Sequence, residues 1–191
     1  MKEIAKLVVV LALICGISGF VLAYVKDLTA GPIEYAKIKN VKEPAVHSVL
    51  SGYDNDPIKD RVSFPVGNDK YGRPVSLVVF PAKKDGKTYA VAFEASGVGY
   101  KGPIGVMVGV DVNDNKLTGI SVVSHSETPG LGARILESGF TEPFRGQDLS
   151  KDLTKDNIQA LSGATLSTNG VVAAVNAARE TLAKYRDKMV N

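Results

Sequence analysis

From Leu7 to Val25 the chain runs for 19 residues without a charged side chain. As an α-helix that stretch is about 28 Å long, close to the roughly 30 Å of a bilayer's hydrocarbon core. The expectation is one transmembrane helix, so the remainder must fold on one side of a membrane. A cleavable signal peptide is the competing reading, because Lys2 and Lys6 precede the run and Val21-Leu22-Ala23 offers small residues for cleavage. Its apolar region would be only about 7–15 residues, however. Ile14 precedes Cys15 where a lipoprotein signal needs a small residue. Lys26 and Asp27 cancel after the span, so the positive-inside bias keeps the N-terminus cytoplasmic and puts the rest on the outer, periplasmic or extracytoplasmic face. Gly16 and Gly19, with Ser18 and Ala23, could let a neighbouring helix approach, or reflect the ordinary tolerance of membrane helices for glycine.

Charge and cysteine usage exclude several classes of function. Residues 27–191 hold 20 basic and 19 acidic side chains, a net +1, so no nucleic-acid partner is expected. Cys15, the only cysteine, lies inside the apolar run, and His47 and His125 are far apart with no ligand-like spacing. The expectation is no disulfide, no metal site and no iron–sulfur cluster, so redox chemistry here requires an organic cofactor.

We divide the chain into an anchor over 1–26, a helical stalk or connector over 27–60 and a domain over 61–191. In the connector, Ile33 to Ile38 is helix-compatible and Pro44 breaks the pattern. Val75 to Phe80 and Thr88 to Ala95 read as strands, and Asp85-Gly86 between them is a hairpin signal. Ile104 to Val112 and Leu117 to Val123 read as a second pair joined by Asn113-Asp114-Asn115-Lys116. Leu131 to Glu137 suggests a short helix. Val171, Val172, Val175, Ala178, Leu182 and Tyr185 recur at helical spacing and predict a long final helix. The fold class is therefore α+β: one N-terminal transmembrane helix, then a domain with an antiparallel sheet and flanking helices.

Ser162-Gly163-Ala164-Thr165 stands where this last helix begins. Unpaired N–H groups and the helix dipole favour a phosphate there, and a Thr hydroxyl could bind it or be esterified to it. Locally, Ser, Thr and Asn before an apolar run are also what any helix start prefers. Upstream lies His125-Ser126-Glu127-Thr128-Pro129-Gly130-Leu131-Gly132-Ala133-Arg134.

With the anchor, these two motifs resemble the FMN-binding subunits of membrane electron-transport complexes. The likeness is greatest to the G subunit of the Rnf complex, with the C subunit of the sodium-translocating NADH:quinone reductase a near relative, and it runs over nearly the whole chain. The family's last motif Thr carries FMN by a phosphoester, which the resemblance maps onto Thr165. It implies the motif Ser162-Gly163-Ala164 at that attachment point and the segment Glu127 to Gly132, with Glu127, Thr128, Gly130 and Leu131, beside the flavin. The N–H groups of Leu166 to Thr168 and the hydroxyls of Ser162 and Ser167 could stabilise the phosphate charge, or Ser162 and Ser167 could be plain caps. It also implies a separate flavin transferase, with the Thr165 hydroxyl attacking the pyrophosphate of FAD and AMP leaving. One departure is Gln159, where the family usually has Asp three residues before the motif; Asp156 lies three residues further back.

Other residues stay open between roles. Gly97, Gly99, Gly102 and Gly105 surround Tyr100, which could stack on a flavin or be a surface Tyr among turn glycines. Glu127 is a flavin hydrogen-bond partner or an acid at a helix start; His125 a proton shuttle or a strand-end residue; Arg134 a phosphate or flavin-edge contact or a solvated helix residue. The implied function is an electron-carrying component of an ion-translocating ferredoxin:NAD oxidoreductase (a translocase), with no catalytic residues of its own and with other subunits as partners. The alternatives are the quinone-reductase component, a stand-alone tethered flavoprotein, and a tethered binding module without cofactor.

Overall fold

The computed structural model describes residues 2–68, 72–154, 158 and 160–190, and falls into two compact units, residues 1–41 and 42–191. The first is formed by α1, Lys2–Lys37, with Pro32 inside it and no buried residue. Its apolar stretch has mean hydropathy 2.6, and the helix is long and apolar enough to cross a bilayer. A π-helical turn, Ile38–Lys42, follows.

The second unit is a five-stranded antiparallel sheet in the order β1-β2-β3-β4-β5. Its strands are β1 (Val62–Asn68), β2 (Pro74–Lys84), β3 (Lys87–Val98), β4 (Pro103–Asp111) and β5 (Lys116–Ser124). Sequence order equals spatial order because every connection is a hairpin. Between β2 and β3, Asp85 and Gly86 both take positive φ, 52° and 76°, across the Lys84–Lys87 pair, as a two-residue I′ turn requires. Between β4 and β5, Asp111 Oδ1 accepts from the Asn113 and Asp114 N–H groups at 2.8 and 3.3 Å and closes the turn.

Helices cover both faces of the sheet. Before β1 comes α2 (Glu43–Val49); after β5 come a 3-10 turn (Gly132–Leu136), α3 (Ser138–Thr141), a second 3-10 turn (Glu142–Phe144) and α4 (Thr165–Val190). Strand alternation sends Val91 and Phe93 of β3, with Ile104, Val106, Val108 and Val110 of β4, into a core with Val171, Val175, Ala178 and Leu182 of α4. Ala90, Ala92 and Met107 point the other way, into a smaller core with α2. With both faces covered, β4 is buried from Ile104 to Val110, which explains its unbroken apolar run.

The antiparallel meander, both hairpins and the long last helix agree with the sequence reading. Two features differ from it. The stretch that the sequence assigns to the end of a connector lies inside the domain unit: Ala45, Val46, Val49 and Leu50 are buried, each larger side chain contributing about 1.5–3 kcal/mol, and Asn55 bonds Pro81 O and the Lys83 N–H at 3.0 and 2.8 Å. Pro44 starts α2 rather than breaking a helix, since its missing N–H is harmless in a first turn. Leu131 to Glu137 forms a 3-10 turn and not an α-helix.

The end of β3 meets α4 backbone to backbone. A Cβ at Gly97 would lie 2.0 Å from Gly170 O and 2.8 Å from Ala174 N, so no side chain is admitted there. Gly97→Ala is expected to cost about 3 kcal/mol or more, the upper end of overpacking. Gly139→Ala, with nothing within 4 Å of the added carbon, should be close to neutral. Denaturant midpoints followed by tyrosine emission check both; a neutral Gly97→Ala would mean that strand and helix are not in backbone contact.

Candidate cofactor pocket at the start of the last helix

Three segments converge on one cavity of about 430 Å³. The first is the β3–β4 connection, which brings Tyr100, with Gly99 N–H bonded to Gly102 O at 2.9 Å. The second follows β5 and brings Glu127, Thr128, Leu131 and Gly132. There Thr128 O accepts from the Leu131 and Ala133 N–H groups at 3.2 and 3.1 Å. Pro129 and Gly130 (φ 73°) stand at the second and third positions of that turn, the type II arrangement. The third is the start of α4, bringing Gly163, Ala164, Thr165, Leu166 and Ser167.

The motif preceding α4 has a local physical account. Leu161 O accepts from Ala164 N–H at 3.0 Å, making Ser162-Gly163 a turn whose second corner takes φ 78°, hence the glycine. Ala164 O then accepts the first helical bond, from Thr168 N–H at 3.0 Å. Ala164 thus stands in the capping position with no side-chain oxygen to offer, and the N–H groups of Thr165, Leu166 and Ser167 are the orphans of the first turn. Thr168 Oγ1 accepts from Leu161 N–H at 3.3 Å and ties the turn back to the helix. Thr165, first residue of α4, is exposed on the cavity wall.

Ser167 does not cap the helix, because its hydroxyl donates to Glu127 Oε2 at 2.6 Å in a buried contact. Glu127 Oε1 accepts from Lys101 N–H at 3.0 Å. Glu127 is only 5 % exposed, so desolvation pushes its pKa up. The bonds from Ser167 and from the Lys101 and Tyr100 backbone outweigh that, and the carboxyl sits below its ordinary range. Two glycines leave room for it: a Cβ at Gly99 would lie 2.6 Å from Oε1, and one at Gly132 2.6 Å from Oε2.

Of the residues singled out from sequence, Tyr100, Glu127, Thr128, Leu131, Gly163, Ala164, Thr165, Leu166 and Ser167 share this wall. Gly130 sits at the turn outside it, and Ser162 lines a neighbouring cavity with Arg134, which faces Glu137 at 3.7 Å. His125 is also off the wall; its Nδ1 accepts from Glu127 N–H at 3.1 Å. Three of the four glycines around Tyr100 do not clear space for a ring: Gly97 abuts α4, Gly99 abuts Glu127 and Ile104, and a Cβ at Gly105 would meet Ser124 Oγ at 2.4 Å; Gly102 has nothing within 4 Å. Gln159 and Asp156 lie outside the described residues. Gly132, the end of the segment expected beside the flavin, is on the wall as well. The Lys101 N–H was missed; no local signal marks a backbone donor that serves a carboxylate 26 residues away. Among the described residues no cluster of metal-ligating side chains occurs.

A family model described as an FMN-binding domain matches residues 99–180, and every lining residue of the cavity falls inside it. The G subunit of the ion-translocating oxidoreductase complex of Methanosarcina acetivorans is 32% identical over 184 residues, covering 93% of this chain and 93% of that one. This chain belongs to the family of G subunits of ion-translocating oxidoreductase complexes. Another relative is the G subunit of the Na(+)-translocating ferredoxin:NAD(+) oxidoreductase complex of Acetobacterium woodii, 29% identical over 191 residues, with 92% of this chain and 89% of that one covered. Among solved structures, the C subunit of the Na(+)-translocating NADH-quinone reductase of Parabacteroides distasonis superposes with a TM-score of 0.50 at 22% identity, over 70% of this chain and 81% of that one, a likeness of fold.

Because Glu127's pKa is lowered on folding, its contribution to stability is present above the ordinary glutamate range and is lost as pH falls through the lowered value. Ser167→Ala should remove about 1.5–3 kcal/mol at neutral pH, the worth of a bond to a charged group. It should also flatten the acid-side loss, since the folded pKa moves back toward the unfolded one. Denaturation midpoints from pH 7 down to pH 3 test this; an unchanged acid limb in the variant would show that Ser167 does not hold the carboxylate.

Proposed function

We propose that this chain is the electron-carrying component of a membrane ion-translocating ferredoxin:NAD oxidoreductase, holding FMN by a phosphoester on Thr165. The observation that carries the reading is the exposed Thr165 at the head of a helix whose capping position is held by Ala164, on a cavity inside the FMN-binding match. The residues fit such a group in kind: first-turn N–H groups for a phosphate, and apolar surface from Leu131, Leu166 and Tyr100, all more than half exposed, for a flat ring.

FMN, when bound, supplies the one-electron and two-electron chemistry that no side chain here provides. Thr165 supplies the ester oxygen. The N–H groups of Leu166 and Ser167 and the positive end of α4 offset the remaining phosphate charge. Glu127 positions the wall through Ser167 and Lys101, and both carboxylate oxygens are already committed to those donors. Thr is a weak nucleophile without a base, so a separate flavin transferase completes the attachment. A covalent tether also suits a domain on the outer face, the orientation that Lys2 and Lys6 before the span support, because a released cofactor would be lost by dilution. The other subunits of the complex are the electron donor and acceptor. The likeness to the quinone-reductase protein is one of fold, and the whole-length match to the G subunits sets the order of the two readings.

Co-expression with a flavin transferase, followed by denaturing electrophoresis and in-gel flavin fluorescence, tests the linkage. The wild-type band should fluoresce and Thr165→Ala should be dark. A dark wild-type band beside a fluorescent control protein would overturn the linkage and favour a tethered binding module.

A further inference from the structure

Two turns apart on the C-terminal half of α4, Arg179 and Arg186 line a second cavity of about 310 Å³. Asn115 and Ser150 stand beside them, and Leu149 and Leu182 supply apolar surface. Arg186 is held in place by neutral groups: Nη1 donates to Asn115 Oδ1 at 2.9 Å and Nη2 to Val112 O. Among the described residues no carboxylate pairs with it. Arg179 Nη2 meets Asp152 Oδ1 at 2.5 Å, but its Nε–H is buried without a partner among the described residues. Buried donors without acceptors are rare in folded proteins.

We propose that this cavity binds an organic phosphate. Among the described residues the one carboxylate paired with these two guanidinium groups is that of Asp152, leaving one positive charge for an anion to meet. Donors arriving from separate turns of a helix suit the diverging oxygens of a phosphoryl group better than a planar carboxylate, and guanidinium forks are the usual partners of phosphate. Leu149 and Leu182 offer contact to the ligand's carbon portion, while the Ser150 hydroxyl already serves the Asp148 carboxylate. Arg186 needs no reordering to bind, because its two bonds to Asn115 and Val112 already fix it. The same chemistry is presented by a soluble phosphate monoester and by the headgroup of an anionic phospholipid. This site is separate from the cavity at Thr165 and does not depend on its reading.

The test uses the full chain in phosphatidylcholine nanodiscs, wild type beside Arg179→Gln, with the thermal midpoint of the domain as readout. Glycerol 3-phosphate, added at chloride-matched ionic strength to about tenfold its dissociation constant, should raise the wild-type midpoint by roughly 3–6 °C and leave the variant unmoved. That result assigns a soluble phosphate. A rise on replacing part of the phosphatidylcholine with phosphatidylglycerol, absent in the variant, assigns a lipid headgroup. No rise with either probe, or an equal rise in Arg179→Gln, overturns the site; an equal rise would place the anion at the start of α4 instead. Should Arg179→Gln fail to unfold cooperatively, Arg179→Lys keeps the charge toward Asp152 without the fork, and an affinity within twofold of wild type, read from the glycerol phosphate phosphorus resonance, would equally overturn it.

Discussion

The arrangement of the pocket depends on a contact in which no side chain takes part. The last residues of β3 lie directly against the second turn of α4: a Cβ at Gly170 would fall 2.9 Å from Gly99 Cα and 2.9 Å from Val98 O, and one at Gly97 would fall 2.0 Å from Gly170 O. With both partners reduced to backbone, the helix is brought onto the sheet at one point, and its first turn lies against the connection that carries Tyr100 and Lys101. The buried carboxylate of Glu127 then joins that connection to Ser167 of the helix and to its own segment after β5. Three segments distant in sequence are thereby held in one wall by two glycine contacts and one anion. A desolvated carboxylate is stable there only because several donors converge on it.

Much of the fold could be read from local patterns, because its elements are specified locally. Asp85-Gly86 encodes its turn in two residues, and α4 carries its apolar stripe from Val171 to Leu182. What could not be read is what depends on tertiary packing. β1 has one neighbour, holds Pro65 and Gly67 around a bulge and is nowhere fully buried, so its alternation at Phe64 and Val66 is too short and too interrupted to mark a strand by itself. α2 is only Glu43–Val49, too short for a helical period to separate from a connector, and is fixed by Val46 and Val49 under the sheet.

The pocket divides in the same way. Thr165 and the Glu127 segment stood out as motifs, and the structure brings them to one cavity. Their mutual relation was not legible, since the Ser167 bond to Glu127 spans 40 residues. Nor were the roles of Gly97 and Gly99. In sequence they are neighbours of Tyr100 and suggest space for a ring, whereas in the fold they are space for Gly170 and for a carboxylate.

The start of α4 shows how such a wall stays receptive to an anion. A serine at the capping position would satisfy one first-turn N–H and add about 1 kcal/mol to the helix. This chain has serines on both sides of that position, yet places Ala164 there, turns Ser162 into the corner of the preceding loop and directs Ser167 to Glu127. The orphan N–H groups are therefore left facing the cavity wall, next to the Thr165 hydroxyl. Among the described lining residues Glu127 carries the one charged side chain, and a free carboxylate would repel a phosphate. Hydrogen bonds from Ser167 and from the Lys101 and Tyr100 backbone hold that charge on the protein's own donors. Ser167 thus spends its hydroxyl on the neighbouring acid, which stays ionised and fully hydrogen-bonded inside the protein.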